Sequence, residues 1–248
     1  MPMNVFITGA SSGLGRGLAL HYAREGATVH AAARREPELE ALRREAPGVV
    51  PVVLDVTDSE ALVAAIRGAE AASGGALDLV IANAGVGGTT NARRMDWRNV
   101  RQILDVNVTS AAVTIAAALP AMVERNAGHV CAVASLAAFR GMPGNAAYCA
   151  SKAALHTFME SVRVDLRRTK VRATTIYPGF VKTELTAKHK GPMPFLMELE
   201  DAVRVMAAGL ARGDATLAYP SAMAAMVKTL GALPRAIYEP LAGRVKMF

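Results

Sequence analysis

The sequence predicts an α/β fold in which one doubly wound parallel sheet carries helices on both faces. Apolar runs of strand length alternate with stretches of helical periodicity along most of the 248 residues. The apolar runs show little alternation between polar and apolar residues, as expected of strands that are covered on both faces. Because no linker or change of composition divides the chain, residues 1–248 are predicted to form a single domain.

Six runs have the length and composition of β-strands, and four segments between them have the apolar spacing of helices. The predicted strands cover residues 3–8, 27–33, 49–54, 77–82, 128–135 and 170–178. The predicted helices cover residues 14–26, 36–46, 58–73 and 96–126. Ligands of such sheets bind beyond the carboxyl ends of the strands, so the residues that follow each strand are candidate site residues.

The composition limits the classes of protein to which the chain can belong. With 52% hydrophobic and 20% charged residues, it is typical of a compact globular protein. The apolar stretch at residues 111–123 is too short and too rich in small residues to span a membrane, and a strand begins at once without a signal peptide. We therefore expect a cytoplasmic protein. Cys131 and Cys149 provide neither a disulfide framework nor metal-site spacing, so no metal is predicted.

The formal charge of +7 raises the question of an anionic partner. The basic residues are scattered along the chain and aromatic residues make up only 5% of it, so no stacking platform for nucleic acid is indicated. An ordinary solvated surface together with one anionic cofactor explains the charge. We therefore predict small-molecule ligands and no binding of nucleic acid.

The first predicted strand leads into the glycine-rich sequence TGASSGLG. Gly9, Gly13 and Gly15 permit a tight turn and a close approach of the backbone to a phosphate, and the following helix offers free amide groups and the positive end of its dipole. The GxxxGxG spacing differs from the GxGxxG dinucleotide motif, so a turn without a ligand is an alternative.

Two arginines follow the second strand, at the distance from the glycines where an acidic residue would bind the ribose of NAD. Arg34 and Arg35 could instead bind the 2′-phosphate of NADP(H), because a guanidinium group can donate two parallel hydrogen bonds to a phosphate. Glu36 keeps NAD(H) as an alternative, and both arginines could also be surface residues that precede the next helix.

Further polar residues follow or interrupt the other apolar segments. Asp55 could accept a hydrogen bond from an adenine amino group, and Asn83 with Gly85 forms a turn that could lie against a cofactor. Local turn formation explains these residues equally well. Ser135 ends the fifth strand. Asn107 lies within a helical segment, where asparagine is mildly unfavourable, so a tertiary role is indicated.

Tyr148 and Lys152 lie four residues apart in an alanine-rich helical segment and therefore share one helix face. A tyrosine with a pKa of about 10 needs on the order of 4 kcal/mol of selective phenolate stabilisation to act as a base near neutrality. The Lys152 cation has the sign required to lower the pKa of Tyr148, as has an oxidised nicotinamide. The pair is predicted to serve proton transfer.

These motifs, together with YPGFVKTE at residues 177–184, resemble the short-chain dehydrogenase/reductase family in their order and spacing over about residues 3–185. The resemblance implies one Rossmann-like domain with about seven strands and a nicotinamide cofactor. The catalytic tetrad that it implies consists of Asn107, Ser135, Tyr148 and Lys152. The implied cofactor contacts are Gly9, Ser11, Ser12, Gly13, Leu14, Gly15, Arg34, Arg35, Asp55, Val56, Asn83, Ala84, Gly85, Tyr148, Lys152, Pro178, Gly179, Val181 and Thr183.

The resemblance also implies individual roles. Tyr148 would donate its proton to a carbonyl oxygen in the reductive direction, and Ser135 would hydrogen-bond the same oxygen. Lys152 would also hold the nicotinamide ribose, Asn107 would hold a water that relays protons, and Thr183 would meet the nicotinamide carboxamide. A basic residue after the second strand implies a preference for NADP(H), which points to Arg34 first and Arg35 second, with NAD(H) as the alternative. The chain departs from the family in one respect, since alanine replaces the first of two asparagines before the AG at 84–85.

Two segments near the end of the chain are predicted to shape substrate binding and surface contacts. Residues 183–200 form a predicted substrate loop, in which apolar residues such as Met193 and Phe195 suit a hydrophobic carbonyl compound; a loop packed permanently on the core is the alternative. Residues 220–248 form an apolar tail that either packs on its own domain, contacts another subunit or lies on a membrane surface. The alanine-rich helices predict a homodimer or homotetramer.

The leading hypothesis is an NADP(H)-dependent oxidoreductase that transfers a hydride between the nicotinamide and a carbonyl group or secondary alcohol of a hydrophobic substrate. One alternative is an NAD-dependent alcohol dehydrogenase. Another is a catalytically silent nucleotide-binding sensor or scaffold, and the intact tetrad argues against it.

Overall fold

The computed structural model describes residues 2–187 and 191–243. Within these residues, seven parallel strands form one sheet in the order β3-β2-β1-β4-β5-β6-β7, as the doubly wound fold requires. The strands are Asn4–Thr8 (β1), Thr28–Ala33 (β2), Val49–Val53 (β3), Leu79–Ala82 (β4), Gly128–Val133 (β5), Val171–Pro178 (β6) and Thr216–Tyr219 (β7). The strand order reverses between β1 and β4, the position at which such sheets open a crevice for ligands.

Helices cover both faces of the sheet. In the described chain they are Gly13–Arg24 (α1), Glu36–Glu45 (α2), Ser59–Ala72 (α3), Trp97–Leu104 (α4), Ser110–Glu124 (α5), Ala146–Asp165 (α6), Glu184–Ala187 (α7), Leu199–Arg212 (α8), Ser221–Ala232 (α9) and Arg235–Gly243 (α10). Helices α1, α2 and α8 share one apolar core, which includes Ile7 of β1. Helices α3, α5 and α6 share the other, which includes Phe6. Neighbouring residues of β1 thus point to opposite cores.

The long helix predicted over residues 96–126 is interrupted. A π-helical turn, Asp105–Thr109, separates α4 from α5, and the N–H of Ser110 donates to the carbonyl of Asp105 five residues earlier. This wider turn carries Asn107. By length and composition the segment Trp97–Glu124 could cross a membrane. Ile115 and Met122 are fully buried against the sheet, however, so it packs as a core helix.

The predicted loop and tail both return to the domain. In the loop, the N–H of Met197 donates to the carbonyl of Phe180, and residues 188–190 lie outside the described chain. In the tail, α9 buries Met223, and the hydroxyl of Tyr238 on α10 donates to the Gly141 carbonyl (2.6 Å). The guanidinium of Arg140 stacks on the Tyr238 ring at 4.3 Å. The described part of the tail, residues 220–243, therefore makes contacts with its own domain, as in the first of the three interpretations. Residues 244–248 of the predicted tail lie outside the described chain.

Candidate active site

A cleft of about 560 Å³ runs along the carboxyl ends of β1 to β6. The residues predicted for catalysis and cofactor binding line this cleft, with the exception of Gly15 and Asn107, which lie behind its wall. The structure therefore brings residues from six separate strand ends into one site. Lining residues that the sequence analysis did not single out include Val86, Gln102, Val106, Glu184, Leu185 and Thr186.

The turn after β1 has the backbone geometry that its glycines predict. Gly9 and Gly13 have φ values of +69° and +53°, in the left-handed region that favours glycine. A Cβ atom on Gly15 would lie 2.3 Å from the carbonyl oxygen of Gly9, so α1 approaches the turn too closely for any side chain. Gly15 thus serves the packing of α1 and does not itself line the cleft.

The start of α1 is suited to an anionic group. Ser12 precedes the helix and, in the described chain, makes no side-chain hydrogen bond to its first turn, which contains no acidic residue. The free amide groups and the positive end of the helix dipole therefore face the cleft, as a diphosphate would require. The residues present fit the dinucleotide that the sequence analysis expects.

Thr8 and Asn83 connect the glycine turn to β4. The Asn83 Nδ2 donates to the carbonyls of Thr8 (2.9 Å) and Gly9 (3.3 Å). The Thr8 hydroxyl accepts hydrogen bonds from the N–H groups of Asn83 (3.0 Å) and Ala84 (3.1 Å). The Asn83 side chain therefore supports the turn, and only its remaining surface is available to a ligand. Thr8 is a structural residue that the sequence analysis missed.

Two arginines stand at the end of β2, and each already has an acidic neighbour. Arg34 Nη1 lies 3.6 Å from Asp55 Oδ2. Hydrogen bonds from Thr57, together with Arg34, lower the pKa of Asp55. Arg35 Nε donates to the hydroxyl of Ser11 in the glycine turn (3.1 Å), and its Nη1 lies 3.1 Å from Glu184 Oε2. Two guanidinium groups therefore border this end of the cleft, and each lies beside a carboxylate.

Tyr148 and Lys152 lie together on α6, as their spacing predicts. The Lys152 ammonium donates to the Val133 carbonyl (2.8 Å) and lies 5.8 Å from the centre of the Tyr148 ring. Burial lowers the pKa of Lys152 to about 8. Burial also raises the pKa of Tyr148, and the hydrogen bond with Ser135 only partly opposes this rise. The chain alone therefore does not lower the pKa of Tyr148 as expected, because desolvation of the phenolate outweighs its neighbours.

Ser135 lies at the rim of β5, opposite the Tyr148 hydroxyl. Its own hydroxyl accepts a hydrogen bond from the N–H of Ala137 (3.1 Å), which fixes the side chain at the start of the following turn. The Ser135 hydroxyl also faces Tyr148 and lies 3.4 Å from the Pro178 carbonyl, to which it can donate. Two hydroxyl groups are thus placed side by side in a half-buried site.

Asn107 is fully buried, and its amide connects three segments. Its Oδ1 accepts from the N–H of Val86 (2.7 Å), while Nδ2 donates to the Val86 carbonyl and to the Ser151 hydroxyl (both 3.0 Å). The Ser151 hydroxyl in turn donates to the Tyr148 carbonyl (2.7 Å). Because both amide hydrogens are engaged, a relay water would need the main-chain carbonyl or the remaining lone pair of Oδ1.

The chain is similar to known proteins over most of its length. The family model described as short chain dehydrogenase matches residues 3–192. A Myxococcus xanthus (strain DK1622) protein, named an uncharacterized oxidoreductase, is 57% identical over 244 residues, which cover 97% of this chain and 96% of the relative. Two solved structures each match 92% of both chains with a TM-score of 0.83. They are a short-chain dehydrogenase from Streptomyces avermitilis (25% identity) and a short chain dehydrogenase/reductase from Burkholderia phymatum in complex with NAD (24% identity).

The family match covers most of the chain, and the relative from Myxococcus spans nearly all of it. The same parallel sheet carries the motifs from which the resemblance was first inferred, and these motifs meet in one cleft. The chain therefore belongs to the short chain dehydrogenase family and is an NAD(P)-dependent oxidoreductase.

Proposed function

We propose that the protein prefers NADP(H) and interconverts a hydrophobic carbonyl compound and its secondary alcohol. The observation that carries the proposal is that Arg34 and Arg35 line one end of the cleft that holds Tyr148 and Lys152 at its other end. A phosphate-binding end and a proton-transfer end in one cleft suit a phosphorylated dinucleotide. The proposal includes a homo-oligomer, supported by the exposed Val123 on α5 and Val164 on α6. It also includes the cytoplasmic location expected from the sequence.

The residues around the cleft provide a place for each part of NADP(H). The glycine turn and the start of α1 would hold the diphosphate, and Asp55 the adenine amino group. Ser11, Arg34 and Arg35 would hold the 2′-phosphate. Thr183, whose methyl group lies near Gly13, would meet the carboxamide. NAD(H) is the alternative, since the solved relative from Burkholderia phymatum contains NAD.

The bound nicotinamide would supply the hydride in reduction and accept it in oxidation. In reduction, Tyr148 donates its phenolic proton to the carbonyl oxygen, while Ser135 donates a hydrogen bond to the same oxygen. The raised pKa of Tyr148 keeps this proton in place until the oxygen becomes basic. As the proton leaves, the Lys152 cation stabilises the phenolate. Asn107 and Ser151 are positioning residues that fix α6 relative to Val86.

Arg35→Ala is expected to weaken NADPH binding by about 10- to 100-fold, because a hydrogen bond to a charged group contributes roughly 1.5–3 kcal/mol. NADH has no 2′-phosphate, so its affinity should change little. Calorimetric titration with both cofactors measures the difference between the two affinities. Protein fluorescence is less suitable, because Trp97 is 64% exposed and lies outside the cleft lining.

Arg24→Ala is the matched control for this experiment. Arg24 is another ion-paired arginine, whose partner is Glu45, and it lies outside the cleft lining. The control variant should bind both cofactors as the wild-type protein does. Equal losses of NADPH and NADH affinity in Arg35→Ala, or tighter binding of NADH than NADPH by the wild-type protein, would contradict the proposed preference.

The rate of carbonyl reduction is expected to be level below about pH 7, to reach half of its maximum near pH 8 and to fall further at higher pH. The ammonium of Lys152 loses its proton as the pH rises through its pKa of about 8, whereas the raised pKa keeps Tyr148 protonated in this range. The measurement is kcat against pH, with an aldehyde or ketone selected from a hydrophobic panel and saturating NADPH. A rate that instead rises steadily through pH 8 would be inconsistent with a required Lys152 cation.

A further inference from the structure

Arg35, one of the two arginines proposed to bind the 2′-phosphate, already forms an ion pair with the carboxylate of Glu184. The two oxygens of Glu184 lie 3.1 Å and 3.4 Å from Arg35 Nη1. Glu184 begins α7, 149 residues further along the chain, and lines the same cleft. An acidic group therefore stands where the phosphate of NADP(H) would bind.

We propose that Glu184 determines how strongly the protein discriminates between NADP(H) and NAD(H), by competing with the 2′-phosphate for Arg35. The inference rests on the proposed placement of the phosphate beside Arg35. NADP(H) must displace the carboxylate before its phosphate can pair with the guanidinium group. NAD(H) carries a hydroxyl group at this position and leaves the ion pair in place. Glu184 thus lowers the affinity for one cofactor and not for the other.

The other acidic group at this end of the cleft is held differently. The Oδ1 of Asp55 accepts hydrogen bonds from the N–H and the hydroxyl of Thr57 (3.0 and 2.8 Å), so its position is fixed by its own turn. Within residues 2–187 and 191–243, the carboxylate of Glu184 has its ion pair and hydrogen bonds with Arg35. The Glu184 side chain is also 67% exposed. Glu184 is therefore the carboxylate that can leave its guanidinium partner.

The backbone of α7 keeps Glu184 within reach of Arg35. The Thr186 hydroxyl donates to the Val181 carbonyl (2.7 Å) and accepts a hydrogen bond from the Thr183 N–H (3.0 Å). On the other side, Leu185 Cδ1 lies 3.3 Å from the position that a Cβ on Gly87 would occupy. These contacts hold the start of α7 beside the cleft, which keeps the Glu184 backbone within side-chain reach of Arg35.

The size of the effect follows from the exposure of the ion pair. Exposed pairs of this kind are weak and are screened by salt, so competition should change the affinity for a phosphate ligand by about two- to fivefold at low ionic strength. The effect should shrink as salt is added. A complete block of NADP(H) binding is not expected.

Calorimetric titration with 2′,5′-ADP and 5′-AMP tests the inference without requiring turnover. These ligands differ only in the 2′-phosphate. Glu184→Gln should bind 2′,5′-ADP about two- to fivefold more tightly than the wild-type protein and 5′-AMP with unchanged affinity. In an Arg35→Ala background, Glu184→Gln should have no effect on either ligand, because the competition requires the guanidinium group.

Glu38→Gln is the matched control. Glu38 Oε1 lies 3.8 Å from the same Arg35 Nη1, but Glu38 belongs to α2 and does not line the cleft. This variant should bind 2′,5′-ADP as the wild-type protein does. If it tightens binding as much as Glu184→Gln, general charge removal explains the effect and the inference is wrong.

The remaining outcomes separate the inference from the proposed function. If Glu184→Gln leaves the 2′,5′-ADP affinity unchanged while the wild-type protein still binds 2′,5′-ADP more tightly than 5′-AMP, the competition is refuted and the NADP(H) preference stands. If the wild-type protein and Glu184→Gln both bind 5′-AMP at least as tightly as 2′,5′-ADP, both ideas fail together.

Discussion

Carbonyl reduction by a Tyr148→Phe variant is expected to be about 10²–10⁴-fold slower than reduction by the wild-type protein. The substitution removes the phenolic proton and leaves the ring, so the carbonyl oxygen loses its proton donor at the step where negative charge develops. Water replaces it poorly, because the hydroxyl lies in a site where burial dominates the pKa of Tyr148. The rate is measured as kcat with saturating NADPH and an aldehyde or ketone from a hydrophobic panel.

The fold and the cofactor site should survive this substitution. The Tyr148 carbonyl, which accepts a hydrogen bond from Ser151, is part of the main chain and is retained. Removal of one hydroxyl group from this half-buried site should change the free energy of unfolding by no more than about 1.5 kcal/mol. NADPH affinity should stay near that of the wild-type protein. Near-normal turnover in this variant would remove Tyr148 from the proposed mechanism.

A Gly15→Ala variant is expected to lose both stability and cofactor binding. The new Cβ would lie 2.3 Å from the Gly9 carbonyl oxygen and 2.5 Å from the Asn83 Nδ2, so the glycine turn or α1 must move. Overpacking against backbone should lower the free energy of unfolding by about 3 kcal/mol. For a chain of this size, that corresponds to a fall in Tm of roughly 6–12 °C. Thermal unfolding and calorimetric titration with NADPH measure the two losses.

Gly68→Ala provides the matched control for the glycine turn. Gly68 lies inside α3, and apart from the adjoining backbone of that helix no described atom lies within 4 Å of a Cβ placed there. Because alanine is favoured over glycine in a helix by about 0.5–1 kcal/mol, this variant should be slightly more stable than the wild-type protein. If Gly15→Ala were as stable as Gly68→Ala and bound NADPH normally, the stability and the cofactor binding of the protein would not depend on the close approach of α1 to the glycine turn.

Much of the fold can be predicted from the sequence, because strands buried on both faces of a parallel sheet appear as continuous apolar runs. The six predicted strands correspond to β1 through β6, each an apolar run between polar or glycine-rich segments. The seventh strand, Thr216–Tyr219, was not located, since it is a short edge strand whose first residue is exposed. The π-helical turn at Asp105–Thr109 was also missed. Its backbone hydrogen bonds leave no periodic signal, and Asn107 is held there by tertiary contacts with Val86 and Ser151.

The sequence predicted which residues form the candidate site, but not which contacts these residues make with one another. Motif order placed the proposed residues at strand ends, and a parallel sheet brings such ends to one edge. The partner of Arg35 could not be inferred, because Glu184 is 149 residues away and becomes its neighbour only through folding. The direction of the Tyr148 pKa shift was likewise beyond the sequence, because it depends on how far the folded chain excludes water from the hydroxyl.

The most direct test of the account is transfer of deuterium from NADPH labelled at the reactive carbon of the nicotinamide. The labelled cofactor is incubated with a panel of hydrophobic aldehydes and ketones, and the alcohol products are examined by mass spectrometry. The proposed mechanism predicts deuterated alcohol with the wild-type protein, and formation of the same product at least about 10²-fold more slowly with Tyr148→Phe. Deuterated alcohol formed at the same rate by both proteins, or by neither, would contradict it.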